Sequence, residues 1–335
     1  MKKILLIDGS SLLTSCFYGT APNGLYKCKT EEERELFYPD LMQTSTGVFT
    51  NAVYGMTKEI LKALGQYKPT HFAVGFDESR ETTFRRAMYS QYKAQRQPSP
   101  LALKEQFLTI RELLDAMGAV VLSSPIYEAD DLIASMVAKY EEEDCEITVW
   151  TKDRDYYQLA SDKTKLWMMQ SSLSKADDLF NKYDSIVGYN DYLPDNCAVF
   201  TPDVVKAEMG VRPYQIPDLK GIMGDASDNI PGIPGVQKPA SILISLYGDI
   251  ETVIDTCKKA ATDEDKKRLS EIWKRMGITR PPIQKVIDGA DMGILSKELA
   301  TMKCDCEVPE LNEIAFTFDE EGYEKIKDLL EFDSI

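Results

Sequence analysis

Two rhythms of apolar and polar positions alternate along the first half of the chain. Short, almost wholly apolar runs, KILLID (3–8), HFAVGFD (71–77), AVVL (119–122) and EITVWT (146–151), have the length and composition of strands buried on both faces. Between them lie stretches of helical period. VFTNAVYGMTKEILKALG (48–65) places Val48, Ala52, Met56, Ile60 and Leu64 on one stripe. LALKEQFLTIRELLDAMG (101–118) does the same with Leu103, Phe107, Ile110, Leu114 and Met117, and stops at Gly118. Asp130–Tyr140 turns Leu132, Ile133, Met136 and Val137 inward. Strands alternating with helices predict crossover connections and a mainly parallel sheet, an α/β fold.

From Pro202 the pattern changes. TPDVVKAEMG (201–210) reads as a helix with a Thr cap and Pro at its first position. The Gly- and Pro-rich stretch 216–248 follows, with a short helix after Lys238, and 258–287 reads as helix with a charged, solvated face. The tail, ELNEIAFTFDEEGYEKIKDLLEFDSI, is expected to pack back on the core as a strand and a helix. Segments 20–46 and 167–200 show no clear period and read as excursions or loops.

Ligands of parallel α/β sheets bind at the carboxyl ends of the strands. Asp8 ends the first predicted strand and Asp77 the second; Glu128, Asp130 and Asp131 follow the third, and Asp153 and Asp155 the fourth. One acidic cluster in a helix's first turn has a simple account in the helix dipole; four clusters on one sheet edge do not. GDASDN (224–229) adds Asp225 and Asp228, a weak signal alone because these are ordinary turn residues. Nine carboxylates in one pocket call for hard divalent cations, Mg²⁺ or Mn²⁺. Two such ions roughly 3.5–4 Å apart are a standard device for phosphodiester hydrolysis.

A chain of 335 residues with 43% hydrophobic and 28% charged residues accommodates a large α/β domain and a smaller one. Its formal charge of −16 speaks against nucleic acid, yet the distribution is uneven. From Arg80 to Lys104 six bases (Arg80, Arg85, Arg86, Lys93, Arg96, Lys104) face one acid, Glu81. In FRRAMYSQYKAQR (84–96) a helix would align Arg85, Tyr89, Tyr92, Lys93 and Arg96, a surface on which bases stack and phosphates meet cations. Seven scattered cysteines indicate reduced thiols. Cys304 and Cys306, with one histidine (His71) and no second pair, do not make a zinc set. The apolar runs are too short for a signal peptide or a membrane span.

In order along the chain, LLIDGSSLL, TNAVYG, FD followed by FR…Y..YKAQR, YEADDLIAS, TKDRDYYQL and LKGIMGDASDNIPGIPG resemble the 5′-nuclease domain of bacterial DNA polymerase I and the related bacteriophage 5′→3′ exonucleases and flap endonucleases. LSKELATMKCDCEVP and LLEFDSI are similar to that domain's C-terminal portion, so only 20–46 and 167–200 fall outside. No polymerase follows residue 335, which suggests a free-standing version. The resemblance implies a PIN-like (Rossmann-like) catalytic domain at 1–200 with a helical arch at about 80–104, a helix–three-turn–helix module at 201–300 and a C-terminal segment, 301–335, packed on the core. It implies a structure-selective nuclease that hydrolyses DNA at 5′ flaps and 5′ ends.

By position, Asp8, Asp77, Glu128, Asp130 and Asp131 would serve a first metal ion, and Asp153, Asp155, Asp225 and Asp228 a second. Lys93 and Arg96 would meet the scissile phosphate, with Tyr92 and Arg85 positioning the strand; Ser10, Asn51, Arg80, Arg86, Tyr89, Lys220 and Lys238 would contact DNA. The family hairpin G-V-x-G-I-G-x-K-T-A is here GIPGVQKPA, one residue short and with Pro239 in place of Thr. That departure bears on duplex grip and on the potassium ion implied there, although Pro239 suits a helix start and Lys238 remains to meet phosphate. The implied setting is a bacterial cytosol, including phage-encoded enzymes, with a monomer working beside a separate DNA polymerase and no membrane. The competing readings are a DNA-junction binding protein without catalysis and an RNA-directed nuclease of the same fold. An aspartyl-phosphate phosphatase is disfavoured, because Ser10 stands where that chemistry wants a second acid.

Overall fold

The computed structural model describes residues 1–79, 81–187 and 191–335. The chain opens with β1 (Lys2–Asp8), α1 (Gly9–Thr20), α2 (Glu31–Glu35), α3 (Asn51–Tyr67), β2 (His71–Asp77), α4 (Phe84–Met88) and α5 (Leu101–Ala116). It continues through β3 (Val120–Ser124), α6 (Ala129–Tyr140), β4 (Cys145–Thr151), β5 (Thr164–Met169), α7 (Leu173–Val187) and β6 (Cys197–Phe200). Helices α8 (Pro202–Met209), α9 (Ile216–Met223), α10 (Ala240–Tyr247), α11 (Ile250–Lys259), α12 (Asp263–Arg275), α13 (Ile283–Asp288), α14 (Ala290–Ala300) and α15 (Glu320–Leu329) complete it. The sheet order is β3-β2-β1-β4-β5-β6; all pairings are parallel except β5 with β6.

The central strand shows why its run is unbroken. Ile4 and Leu6 point into one core with α6 and the helices after residue 200, while Leu5 and Ile7 point into the other with α1, α3 and α5. All four are fully buried. Neither face of such a strand tolerates polar residues until its end, where Asp8 emerges.

The predicted strands and helices of 1–151 form within a few residues of their expected bounds. Val48 is an exception, because α3 begins three residues later and leaves it exposed. The segment 167–200, without visible period, contains the end of β5, α7 and the antiparallel β6. The tail forms α15 as expected but no strand; Ala315 makes a single bridge to His71. The continuous helix expected over 84–96 is also absent. It ends at Met88, Tyr89 is extended, and Lys93 has a φ of +53°, a left-handed conformation that no helix accommodates.

Several helices are capped by side chains from elsewhere. The N-terminus of α3 has no cap of its own, and Gln106 of α5 accepts from Ala52 N (2.7 Å) and Val53 N (3.2 Å). α5, preceded by Pro100, receives Glu31 at Leu101 N (3.0 Å). Arg34, buried, donates to Pro98 O (3.1 Å). The 20–46 excursion thus holds the chain that leads into α5.

Gln106→Leu should strand two backbone donors of α3 in the core. The expected loss is about 2 kcal/mol of unfolding free energy, read as a lower urea midpoint at unchanged slope.

Candidate metal centre

The acids at the carboxyl edge are fixed by backbone groups of the turns they begin. Asp8 accepts from Ser11 N (2.9 Å) at the start of α1 and from the Thr151 hydroxyl (2.8 Å) at the end of β4. Asp77 accepts from Ala129 N (3.0 Å) at the start of α6, and its own amide donates to Ser10 Oγ (3.0 Å). Glu128 caps α6. Asp153 begins a 3-10 turn, Arg154–Leu159, and accepts from Asp155 N (2.9 Å). Asp225 and Asp228 sit in a tight loop closed by paired hydrogen bonds between Asp225 and Ile230 (2.8 Å each). Gly224 and Gly232 cross at its neck, where a Cβ on Gly232 would lie 2.3 Å from Gly224 N. Only glycine fits there, and Gly232 also has a φ of +64°.

These segments converge. Asp8, Asp77, Glu128, Asp130, Asp153, Asp155 and Asp225 line one cleft of about 950 Å³. Oxygens of Glu128, Asp130 and Asp131 lie within 4.8 Å of one another. Burial and the neighbouring Asp77 push Asp8 up from 3.8 to about 6. Burial and Asp153 push Asp155 up to about 7. Burial likewise raises Asp153, with Asp228 and Asp8 adding to the effect.

The protein answers part of this charge itself. Arg85 is 1% exposed and donates to Glu128 (2.9 Å), to both oxygens of Asp131 (2.7 Å each), to Leu299 O (2.9 Å) and to Thr301 O (3.1 Å). Lys93 Nζ lies 2.6 Å from Glu128 and 3.6 Å from Asp228. Arg96 pairs with Asp228, and Lys220 bridges Asp155 and Asp225. The Tyr92 hydroxyl donates to Glu128 (2.9 Å) and reaches Asp228 (3.3 Å). Nine carboxylates therefore meet four cations paired with them, and Lys152 and Arg154 also line the cleft.

This placement corrects several expectations. Arg85 is the buried partner of Glu128 and Asp131, behind the acids and not on a strand-binding surface. Tyr92 is buried by its bond to Glu128 and offers no stacking face. Lys220, buried between two acids, is not a surface DNA contact. Asn51 is buried too, donating to Thr20 Oγ1 (2.9 Å) and accepting from Gln106 (2.9 Å), so it braces helices. Asp131 and Asp228 do not line the cleft; Arg85, Lys303 N (2.8 Å) and Glu128 N (3.1 Å) occupy the oxygens of Asp131, and Asp228, just behind the lining, faces Arg96, Lys93 and Tyr92. Ser10 lines the cleft, and Lys238 is exposed before α10. Arg86 donates to Tyr92 O (2.6 Å), and Tyr89 packs beside Tyr92, Ile230 and Leu299. Arg80 lies outside the described residues.

Two buried polar atoms in this region have no hydrogen-bond partner, Asp130 Oδ1 and the Tyr156 hydroxyl. Arg85 is 3.8 Å from the former, beyond hydrogen-bond reach. An orphaned carboxylate oxygen amid other carboxylates, with no His or Cys among the acids, fits a hard divalent cation. Tyr156 carries no signal in the chain beyond its place directly after Asp155.

A family model described as the 5′-3′ exonuclease N-terminal resolvase-like domain matches residues 3–184, and one for its C-terminal SAM fold matches 211–321. DNA polymerase I of Bacillus subtilis is 32% identical over 308 residues, covering 92% of this chain and 28% of that protein. The chain spans about a third or less of the length of the curated polymerases it matches. Among solved structures, T5 5′-exonuclease with divalent zinc ions bound has a TM-score of 0.57 at 18% identity, covering 98% of this chain and 99% of that one. A bacteriophage T5 flap endonuclease, in a pseudo-enzyme-product complex with DNA and metal ions, has a TM-score of 0.55 at 17% identity, covering 98% of this chain and 100% of that one. At such identities the two structures establish the fold.

Two outcomes follow from the charge balance. Folded Asp8 and Asp155 hold protons between about pH 4 and about pH 7 that the unfolded chain has released. Stability in EDTA should therefore fall as pH rises from 5 to 8, by a few kcal/mol at about 1.4 kcal/mol per tenfold change in proton affinity. Saturating Mg²⁺ should flatten that slope in thermal melts. Separately, Arg85→Met should cost about 3–5 kcal/mol by leaving Asp131 charged, buried and unpaired. Arg96→Met, on a partly exposed pair, should cost about 1 kcal/mol or less by the same urea titration.

Proposed function

The chain belongs to the 5′-3′ exonuclease family, and on that premise we propose that it is a structure-selective 5′-nuclease acting on DNA at 5′ flaps and 5′ ends by a two-metal-ion mechanism. The observation that carries this reading is the convergence of acids from four strand ends and the 224–229 loop around the orphaned Asp130 Oδ1. Asp8, Asp77, Glu128 and Asp130 would hold one Mg²⁺, with Asp131 fixing Glu128 from behind; Asp153, Asp155, Asp225 and Asp228 would hold the other. Bound there, the ions supply a water of lowered pKa and neutralise charge on the phosphate.

The chain's own residues supply placement. Lys93 and Arg96 stand at the rim of the acids, where a phosphate brought to the cleft meets both. The strap that carries them, residues 89–96, is held over the cleft by Lys93 N to Asp228 O (2.9 Å), Gln95 to Ala226 O (2.9 Å) and Asn229 to Gln91 O (2.7 Å). Arg85 fixes Glu128 and Asp131, and Ser10 fixes the Asp77 backbone.

The turn 234–238, exposed except at Val236, with Lys238 on it and Lys285 beside Gly235, suits the backbone of a duplex held next to the cleft. Residues 1–200 form the catalytic part in this reading, 201–300 the duplex-binding part, and 301–335 the brace. DNA as substrate accords with the T5 flap endonuclease complex, and work beside a DNA polymerase in the cytosol with the polymerase relatives.

The test is a labelled 5′-flap DNA with and without Mg²⁺, beside an Asp153→Asn variant. Cleavage near the junction should require the ion and fall at least about 100-fold in the variant. Equal products from both proteins would remove the mechanism.

A further inference from the structure

Among the described residues five bases line the cleft, and three of them, Lys93, Arg96 and Lys220, are held by acids. The other two are Lys152 and Arg154, which alternate with Asp153 and Asp155 along the chain leaving β4. Both are exposed, and among the described residues neither side chain makes an ion pair or a hydrogen bond. The acids beside them in sequence are engaged elsewhere. Asp153 accepts from Asp155 N (2.9 Å), and Lys220 holds Asp155. Glu208, the acid nearest in influence to Arg154, is held by Lys182 (2.9 Å) and the Tyr183 hydroxyl. In the sheet order the end of β4 lies between the acids of β1 and β2 and the ends of β5 and β6. The lining on the β5 and β6 side, with Gln170 and Asn196, carries no acid, nor does the lining from α1, with Thr14 and Ser15.

We propose that Lys152 and Arg154 form a second phosphate subsite, which takes the phosphodiester next to the scissile one in the DNA strand. The inference rests on the nuclease reading of the cleft and deepens it by naming two residues that hold the strand beyond the reacting group. At about 950 Å³ the cleft matches sites that enclose a whole small molecule, so it has room for more than one phosphate. A strand seated there carries a negative charge on each side of the bond to be broken, and a chain of net charge −16 repels both. Lys93, Arg96 and Lys220 already answer the acids. Lys152 and Arg154 have no carboxylate to give up, so their attraction is open to the substrate, and no buried acid depends on them. A phosphate that does not react keeps its charge throughout the reaction. Contacts to it strengthen ground state and transition state alike, so their effect falls on KM rather than on kcat.

The test uses Lys152→Met, Arg154→Met and the double variant in the full chain. Urea unfolding in EDTA should match the unaltered protein, because neither base has a partner to lose. KM for flap cleavage should rise about fivefold in each single variant, with kcat held within about twofold. With Ca²⁺ in place of Mg²⁺, the slope of log affinity against log salt should become shallower by about 0.7 for each base removed. Flap DNAs with one uncharged methylphosphonate, on the 5′ or the 3′ side of the scissile phosphate, then locate the contact. One of the two should weaken the unaltered protein to the level of the double variant and leave the double variant's own KM unchanged. An unaltered KM in the double variant overturns the inference and leaves the nuclease reading standing, as does a fall in kcat alone or a lower urea midpoint. A raised KM overturns it too if each neutral linkage harms both proteins equally, since the bases would then act only through the general field. If the unaltered protein neither binds nor cleaves flap DNA, the nuclease reading itself fails, and the inference goes with it.

Discussion

Crowded negative charge at the carboxyl edge of the sheet is the constraint around which this molecule is arranged. A pair of unit charges 4 Å apart repels by about 4 kcal/mol at the screening typical near a protein surface, and here nine carboxylates share one region. Three sources of relief are visible. Asp8, Glu128 and Asp153 each sit at the start of a helix or 3-10 turn, where backbone N–H groups point at them. Arg85, Lys93, Arg96 and Lys220 pair with Glu128, Asp131, Asp228, Asp155 and Asp225. Burial first, and then the remaining repulsion, raises the proton affinity of Asp8, Asp130, Asp153 and Asp155. A sheet buried on both faces cannot relax by letting its strand ends move apart, so the residual repulsion stays in the cleft.

Holding such a site rigid falls to contacts between distant segments. Gln106 caps α3, Glu31 caps α5, and Asp77 caps α6, each across more than fifty residues of sequence. The carboxyl of Glu31 is raised by burial but lowered more by hydrogen bonds from Tyr38, Leu101 and Arg34, and it ends below its ordinary value. The C-terminal tail adds Glu331, which accepts from Ser45 N (2.7 Å), and Ser334, which bonds Tyr54 (2.8 Å). The 20–46 excursion is therefore built into the support of the chain that enters α5, through Pro98 and Leu101. Its packing gives it a structural reason to exist independent of any partner.

Much of this was legible because the relevant signals are local. An apolar run ended by an acid marks a buried strand reaching the surface, and Asp8, Asp77 and Asp153 were found that way. Spacing alone could not say which side of a short helix faces inward, so Arg85 and Tyr92 were read as a binding surface when burial against Glu128 had claimed them. Lys220 was misplaced for the same reason, since a lysine's partners five and sixty-five residues away leave no mark in the pattern. β5 and β6 escaped because TKLWMM and CAVF are short, and Met and Trp serve strands and helices alike. Asn51 sits within a shared motif, which suggested a ligand contact; its actual work, joining α1 to α5, depends on a tertiary contact with Gln106.

The four cations divide into two kinds, and the division explains the irregular backbone of the strap. Arg85 and Lys220 are buried on regular helices and hold acids whose positions must not change. Lys93 and Arg96 stand on a chain with a left-handed residue and no helix, tied down mainly by main-chain oxygens of the 225–229 loop. A helix over 89–96 would have fixed both side chains by its own geometry. Irregular chain leaves the position of Lys93 and Arg96 to their contacts with the acids and the loop, and in the proposed reading the same ammonium and guanidinium groups would meet a phosphate there. Net charge alone, at −16, concealed this. The chain as a whole repels polyanions, and the bases of the cleft lie where the acids can hold them in place.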